Sequence, residues 1–269
     1  MASYKSWVFL FLLCIAFLTA CMERNHESRI LVFSKTSGTH HESIADGVAA
    51  IQLLGRENNF LVDTTTDARL FNEDSLHKYS AVVFLSTTGN NLNRQQEIDF
   101  ERYIQAGGGY VGIHASSDGE YDWRWYGKLA GAYFMDHPGM YDSFPDIQPG
   151  LINVTESDHP STESLPCTWH RIDEWYSFKD VSSNIDVILT LDENSYQGGK
   201  KMNTHPIAWC HEFEGGRAFY TGLGHTRESY NEPLFLNHIL GGIRYAIGNN
   251  EKLNYSNVST TRMTSVSQH

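Results

Sequence analysis

The sequence predicts an α/β protein organised around a doubly wound, mostly parallel sheet. Three observations lead there. Short apolar runs alternate with segments whose apolar positions repeat at helical spacing. The glycine turn Gly107-Gly108-Gly109 feeds the run Tyr110-Val111-Gly112-Ile113, which ends on His114 and Ala115. Three histidines, His41, His114 and His225, each fall just beyond the end of a predicted strand. If those strands are parallel, their carboxyl ends share one edge, where open α/β sheets bind ligands.

Arg29-Ile30-Leu31-Val32-Phe33 reads as the first strand, short and apolar as buried parallel strands are. A polar turn from Ser34 to His41 follows. Ile44, Val48 and Ile51 then recur at i, i+4 and i+7, an amphipathic helix ending near Gly55. Phe60-Leu61-Val62 and Ala81-Val82-Val83-Phe84-Leu85 are the second and third strands. Asn93, with Gln96 three residues on, resembles a capping box, and Phe100, Tyr103 and Ile104 line one face of the helix it opens. That helix stops at Gly107, and the strand into His114 begins. The stretch from about Tyr121 to Glu163 is rich in Gly, Pro and Asp, so loops and one short helix are expected to roof the pocket. Later strands are predicted over 171–177, 187–191, 206–210 and 217–221, and a last helix over 232–246. The polar tail after Ile247 is expected to fray.

The ends and the composition bound the setting. Residues 1–20 carry one charge, Lys5, and Trp7 to Ala20 form an apolar run of signal-peptide length, short for a membrane span. The run closes on Leu18-Thr19-Ala20-Cys21, which resembles a bacterial lipobox. The expectation is a signal peptide over 1–20, a linker over 21–28 after a lipidated Cys21, one folded domain over 29–248 and a tail over 249–269. That predicts a membrane-anchored lipoprotein facing the periplasm or the cell surface. Cys167 and Cys210 then remain, too few for a disulfide framework. The formal charge of −12, without any Lys/Arg-rich run, argues against nucleic acid as a partner.

An imidazole on the turn at His114 suits a metal ligand or a general base better than an acyl-enzyme nucleophile. With His41 and His225 it forms a candidate site, whose groups hold a divalent metal such as zinc or act as acids and bases. Asp173 and Glu174 are neighbours in a strand-like run, so they point to opposite faces and only one reaches the pocket; Glu174 is the choice. Asp136-His137-Pro138, Asp158-His159-Pro160 and His205-Pro206 repeat a His-Pro pair. Proline holds the preceding residue extended, so these are rigid loop corners or ligands. Tyr121, Trp123, Trp125 and Tyr126 cluster beside Asp122 and Arg124; such rings either stack on a sugar face or pack the roof of the domain. No Gly-x-Ser-x-Gly elbow and no Gly-Lys-Ser/Thr phosphate loop occurs, and the triple glycine precedes its strand, the wrong side for a dinucleotide loop.

Several motifs add a resemblance: Val32-Phe33-Ser34-Lys35, Phe84-Leu85-Ser86-Thr87-Thr88-Gly89, Gly108 to His114, Tyr121-Asp122-Trp123, Asp158-His159-Pro160, Asp173-Glu174-Trp175-Tyr176, His205-Pro206-Ile207-Ala208-Trp209 and Gly222-Leu223-Gly224-His225-Thr226. Together they resemble the ThuA-like (trehalose utilisation) family of the class I glutamine amidotransferase-like superfamily, from about Ile30 to Gly248. The resemblance implies a flavodoxin-like three-layer α/β sandwich. It sets His114 where the superfamily's amidotransferases carry their cysteine nucleophile, so glutamine hydrolysis is not expected, and His225 roughly where their catalytic histidine falls. It links the chain to sugar catabolism, including pathways through 3-keto sugars made by partner oxidoreductases. The expected function is a carbohydrate-processing lyase or hydrolase acting on a glycoside or keto-sugar. His41, His114 and His225 are the expected metal ligands or acid/base groups, assisted by Glu174. Lys35, Tyr121, Trp123, Trp125, His137, Asp173, Tyr176 and His205 are expected around the substrate, with Lys35 a cation able to steady an enolate. The alternative is a non-catalytic carbohydrate-binding lipoprotein that uses the aromatic loop.

Overall fold

The alternating apolar runs and amphipathic segments assemble into one nine-stranded sheet with helices on both faces. The computed structural model describes residues 28–200, 204–249 and 252–258; the apolar leader and Cys21 lie outside them. In chain order the elements are β1 (Ser28–Phe33), α1 (Ile44–Glu57), β2 (Phe60–Thr65), a one-turn helix α2 (Glu73–Leu76), β3 (Ala81–Leu85), α3 (Arg94–Gln105), β4 (Gly109–Ile113) and α4 (Arg124–Ala130). Then come β5 (Tyr133–Asp136), β6 (Ile147–Val154), β7 (Thr168–Glu174), β8 (Ser177–Lys179), β9 (Asp186–Asp192), β10 (Pro206–Phe213), β11 (Gly216–Thr221) and α5 (Pro233–Ile247). The sheet order is β2-β1-β3-β4-β11-β10-β9-β6-β7, and β5 pairs with β8 in a separate ribbon. Among the described residues no helix is long and apolar enough to cross a membrane.

The first five strands of that order are parallel. β3 and β4 are buried along their whole length, which is why they read as unbroken apolar runs. Alternate residues serve two cores. Ile30, Val32, Val83, Leu85 and Val111 meet α1 and α5 on one face. Leu31, Phe33, Val82, Phe84 and Tyr110 meet α3 and α4 on the other. The chain is therefore a three-layer α/β sandwich. The capping box at α3 forms as its sequence predicts: the Asn93 side chain accepts from Gln95 and Gln96, and Gln96 accepts from the Asn93 backbone.

The far four strands, β10, β9, β6 and β7, pair antiparallel. Four reversals return β7 to the direction of β4, so seven of the nine strands point the same way. β5 and β6 lie inside the stretch expected to be loops. The run Ile147–Val154 contains Pro149 and Gly150, two residues that mark turns in a sequence. Pro149 is tolerated because β9 pairs only from Leu151 onward. Gly150 is required because the Trp175 ring lies against it, where a Cβ would sit 2.6 Å from the ring. The tail also departs from expectation, since residues 252–258 return to the end of α3 and Asn254 N–H donates to Ala106.

Strand spacing of about 4.8 Å would put β7 about 24 Å from β4 in a flat sheet. The antiparallel half instead curls over α5. Trp169 on β7 donates its indole N–H to Glu232 at the start of that helix, at 2.9 Å. The Arg171 guanidinium lies 4.7 Å from the Trp169 ring centroid and 4.8 Å from that of Phe235.

Two features of this packing have measurable consequences. Gly109 opens β4 directly against the Ala246 carbonyl at the end of α5, where an added methyl would collide with backbone. Gly109→Ala should cost about 1–3 kcal/mol by overpacking, read as a lower urea midpoint. His238 of α5 is fully buried, bridging the Ser161 carbonyl at 3.0 Å and Thr221 Oγ1 at 3.1 Å. Burial foremost, with the positive charge of Arg171, pushes its pKa down to about 3 from an ordinary value near 6.5. The unfolded chain then binds a proton that the fold refuses. This contribution to stability is complete above about pH 6.5 and shrinks as pH falls toward 3. Urea unfolding across that window should show the decline, and His238→Gln should flatten it.

Candidate functional site

The order β2-β1-β3-β4 reverses direction of growth at β1 and β3, the position where doubly wound sheets open a crevice. His41 ends the loop out of β1. His114 follows β4 on a left-handed turn with φ +51°, a strained conformation for a residue with a Cβ. Two bonds hold it there: Tyr220 OH donates to its carbonyl at 2.7 Å, and its Nδ1 lies 3.0 Å from the Gly222 carbonyl. Gly224, with φ +105°, turns the chain after β11 so that His225 points back.

β7 supplies two acids with separate duties. Asp173 is wholly buried beneath the His225 loop. Its Oδ2 accepts from Gly224 N–H at 2.8 Å and from Arg171 at 2.9 Å, and its Oδ1 accepts from His225 N–H at 3.0 Å. Glu174, one residue on, faces the opposite way and enters the cleft. Its Oε2 lies 3.0 Å from His225 Nδ1 and 3.4 Å from His114 Nε2, and its Oε1 lies 3.4 Å from His137 Nε2. His114 Nε2 and His225 Nδ1 are 3.0 Å apart. The His41 ring stands edge-on to both, at 4.9 and 5.2 Å between centroids. One ligand atom from each of His41, His114, Glu174 and His225 lies within 4.8 Å of all the others.

Charge and protonation follow from these contacts. A carbonyl only accepts, so His114 Nδ1 carries the proton facing Gly222 and its Nε2 turns a lone pair into the cluster. Burial above all, then the neighbouring imidazoles, pushes His41 down to about 3, so its ring is neutral. Its Nδ1 is buried without a hydrogen-bond partner among the described residues. Burial works to raise the Glu174 carboxyl, yet its close contacts with His114 and His225 outweigh it and hold it well below the carboxylate range. For His225 burial pulls down, but the hydrogen bond and charge of Glu174 prevail and raise it. The result is an ionised carboxylate surrounded by imidazoles in a cleft of about 490 Å³. Phe134, Met140, Ile147 and Tyr176 form its apolar wall. The Tyr176 ring lies 4.3 Å from that of His114.

Of the residues expected around a substrate, His137 and Tyr176 line this cleft. The others stand elsewhere. Trp123 and Trp125 are buried in the core between α3 and α4, stacked 5.3 Å apart, with indole N–H groups bonded to Glu101 and Glu214. They pack the domain and offer no face to a sugar. Their polar neighbours Asp122, Arg124 and Lys128 take the outer surface of the same segment. Lys35 Nζ donates to the Asn91 carbonyl at 2.9 Å, tying the loops after β1 and β3 together outside the cleft. Asp173 holds the His225 loop from below. His205 is buried behind the cleft wall, between the Tyr176 carbonyl at 2.8 Å and Glu193 at 2.9 Å. Tyr121 is exposed, and its OH donates to Asp118 at 2.6 Å. Asp118 itself lines the cleft and was not among the expected residues. Nothing in the sequence pattern singles it out.

The Asp173–Arg171 pair is a buried ion pair with both side chains at 2 % exposure or less. Removing one partner strands the other. Asp173→Ala should cost about 3–5 kcal/mol in urea unfolding, whereas Glu174→Gln, whose neighbours face the cleft, should cost far less.

Comparison with known proteins supports this architecture. A family model described as trehalose utilisation, ThuA, matches residues 29–246. A ThuA-like protein from Bacteroides uniformis superposes with TM-score 0.70 at 22% identity, covering 85% of this chain and 95% of that one. A ThuA-like protein from Parabacteroides merdae gives 0.64 at 19% identity, covering 81% and 90%. A cytoplasmic protein from Salmonella typhimurium LT2 gives 0.56 at 14% identity, covering 81% and 98%. A search of the curated proteins gives no match. The family model spans the whole three-layer domain, from β1 to the last turn of α5, and the chain belongs to the ThuA trehalose-utilisation family.

Proposed function

We propose that this chain is a carbohydrate-processing enzyme, a lyase or hydrolase acting on a glycoside or its keto derivative, with His41, His114, His225 and Glu174 holding a divalent metal such as zinc. One observation carries the reading: four ligand atoms from four distant segments lie within 4.8 Å of one another in a cleft at the carboxyl edge of the sheet. The donors fit an ion. Metal bonds of about 2.0–2.1 Å place neighbouring ligands roughly 3.0–3.5 Å apart. The separations of 3.0, 3.0 and 3.4 Å among His114, His225 and Glu174 fall in that range. A neutral His41 with an unpartnered buried Nδ1 fits as well. Three imidazoles with one carboxylate suit zinc and its transition-metal neighbours better than magnesium or calcium.

A bound ion supplies Lewis-acid polarisation of a substrate oxygen. The chain's own groups do the rest. Tyr176 presents a ring beside His114, and Phe134, Met140 and Ile147 offer an apolar wall to the C–H face of a sugar. Glu42, Thr226 and Glu228, which also line the cleft, offer acceptors for its hydroxyls. His137 steadies Glu174 from the side away from the cluster. A pure sugar-binding role would use the aromatic loop, where Trp123 and Trp125 are buried and Tyr121 alone of the four rings is exposed. The keto substrate implies a partner oxidoreductase acting on the same sugar. The lipobox at Leu18–Cys21 supports a lipid-anchored protein facing the periplasm or the cell surface.

Elemental analysis of purified protein should find one divalent metal per chain in the wild type and a loss of it in His114→Ala and His225→Ala, together with turnover of keto-glycosides. Wild-type protein that takes up no metal after incubation with zinc would overturn the metal assignment.

A further inference from the structure

We propose that Asp118 is the proton-transfer group of this site, taking a proton from the carbon beside the substrate's keto group and returning it to the departing glycosidic oxygen. The inference rests on the keto-glycoside reading above and assigns the one role that reading leaves unfilled. A histidine that ligates a metal has committed its lone pair, so His41, His114 and His225 are not free bases. Both nitrogens of His137 are occupied, Nδ1 with the Pro138 carbonyl at 2.8 Å and Nε2 with Glu174. The other carboxylates lining the cleft, Glu42 and Glu228, are exposed at its rim.

Asp118 is half-buried in the cleft wall and well anchored. Its N–H donates to the Ala115 carbonyl and its own carbonyl accepts from Gly89, both at 2.9 Å. Tyr121 OH donates to Oδ1 at 2.6 Å, and Oδ2 is the oxygen assigned to the proton transfer. Tyr121 is thus the positioning residue, its ring held under Lys179 Nζ at 4.8 Å. Burial raises the Asp118 carboxyl above its ordinary range and Glu174 adds to this, while Tyr121, His114 and Lys179 pull it down. A carboxylate made more basic in this way is a better acceptor for a carbon-bound proton.

The step balances without an oxidant. The C–H pair at C2 of a 3-keto-glycoside forms the C2–C3 double bond of an enolate as the proton moves to Asp118. The enolate then restores the C3 carbonyl, C1–C2 becomes a double bond, and the C1–O bond breaks. Protonated Asp118 delivers its proton to the leaving oxygen, giving an enone and an alcohol. The keto group arrives ready made from a dehydrogenation of the parent glycoside.

The test uses zinc-loaded full-length protein with methyl 3-keto-β-D-glucopyranoside, whose C2–H and C1–O bonds lie on one face of the ring, in D₂O. Methanol release, deuterium at C2 of recovered substrate and zinc content are followed together. Asp118→Asn should keep its zinc and lose methanol release and enzyme-dependent deuteration by on the order of 10²–10⁴-fold. Asp118→Glu should restore part of both. Tyr121→Phe should stay active but move the acid limb of the kcat profile to higher pH, because a hydrogen bond that lowers the Asp118 pKa is gone. Asp118→Asn that deuterates C2 at the wild-type rate, or that has lost its zinc, overturns the assignment. Wild-type protein that binds zinc and yet neither deuterates nor cleaves the probe overturns the keto-glycoside reading itself, and the role of Asp118 with it.

Discussion

The candidate site depends on the carboxylate of Asp173. It sits where the far strand of the sheet meets the loop after β11, and it satisfies three backbone N–H groups and one guanidinium at once. An ionised carboxylate in so dry a place is tolerable only with such partners, since each bond to it is charge-assisted. Because it is fixed, the next residue is fixed. Strand alternation turns Glu174 the other way, into the cluster of histidines. A single dipeptide therefore fastens the antiparallel half to the parallel half and places the acid of the site.

Part of the backbone strain lies at the same edge, the rest being at Asn59, Asp180 and Glu214. Ser86 after β3, His114 after β4 and Glu120 in the following loop all have positive φ without being glycine. Each costs on the order of 1–3 kcal/mol and persists only where surrounding contacts over-determine it. For His114 those contacts are visible in the bonds from Tyr220 and to Gly222. The fold spends conformational freedom here to hold an imidazole in one orientation.

Legibility in the sequence follows burial. β1, β3 and β4 lie between two helix layers, so apolar character alone marks them, and the amphipathic helices between them are equally plain. β6 was hidden because Pro149 and Gly150 answer to tertiary neighbours, β9's late pairing and the Trp175 ring. The convergence of His41, His114 and His225 was readable from position after a strand; alternation said that only one of Asp173 and Glu174 enters the cleft, not which. Trp123 and Trp125 misled because polar residues between aromatic ones look like an exposed platform when the short helix α4 that sorts them into two faces is not seen. Lys35 misled because the Asn91 carbonyl that engages it is 56 positions away. Asp118 carried no pattern of its own; only the cleft defines it.

The curl of the sheet over α5 sets an order of assembly. His41, His114, Glu174 and His225 lie on segments that meet only after every strand from β4 to β7 has found its neighbour, including a pairing of β4 with β11 across most of the domain. Such long-range contacts form late and slowly. An ion at this edge could not nucleate the fold, because its ligand set does not exist in any partial structure. It would act as a seal on a finished chain, slowing escape from the native state more than hastening arrival, and so would make a correctly closed sheet the condition for a loaded site.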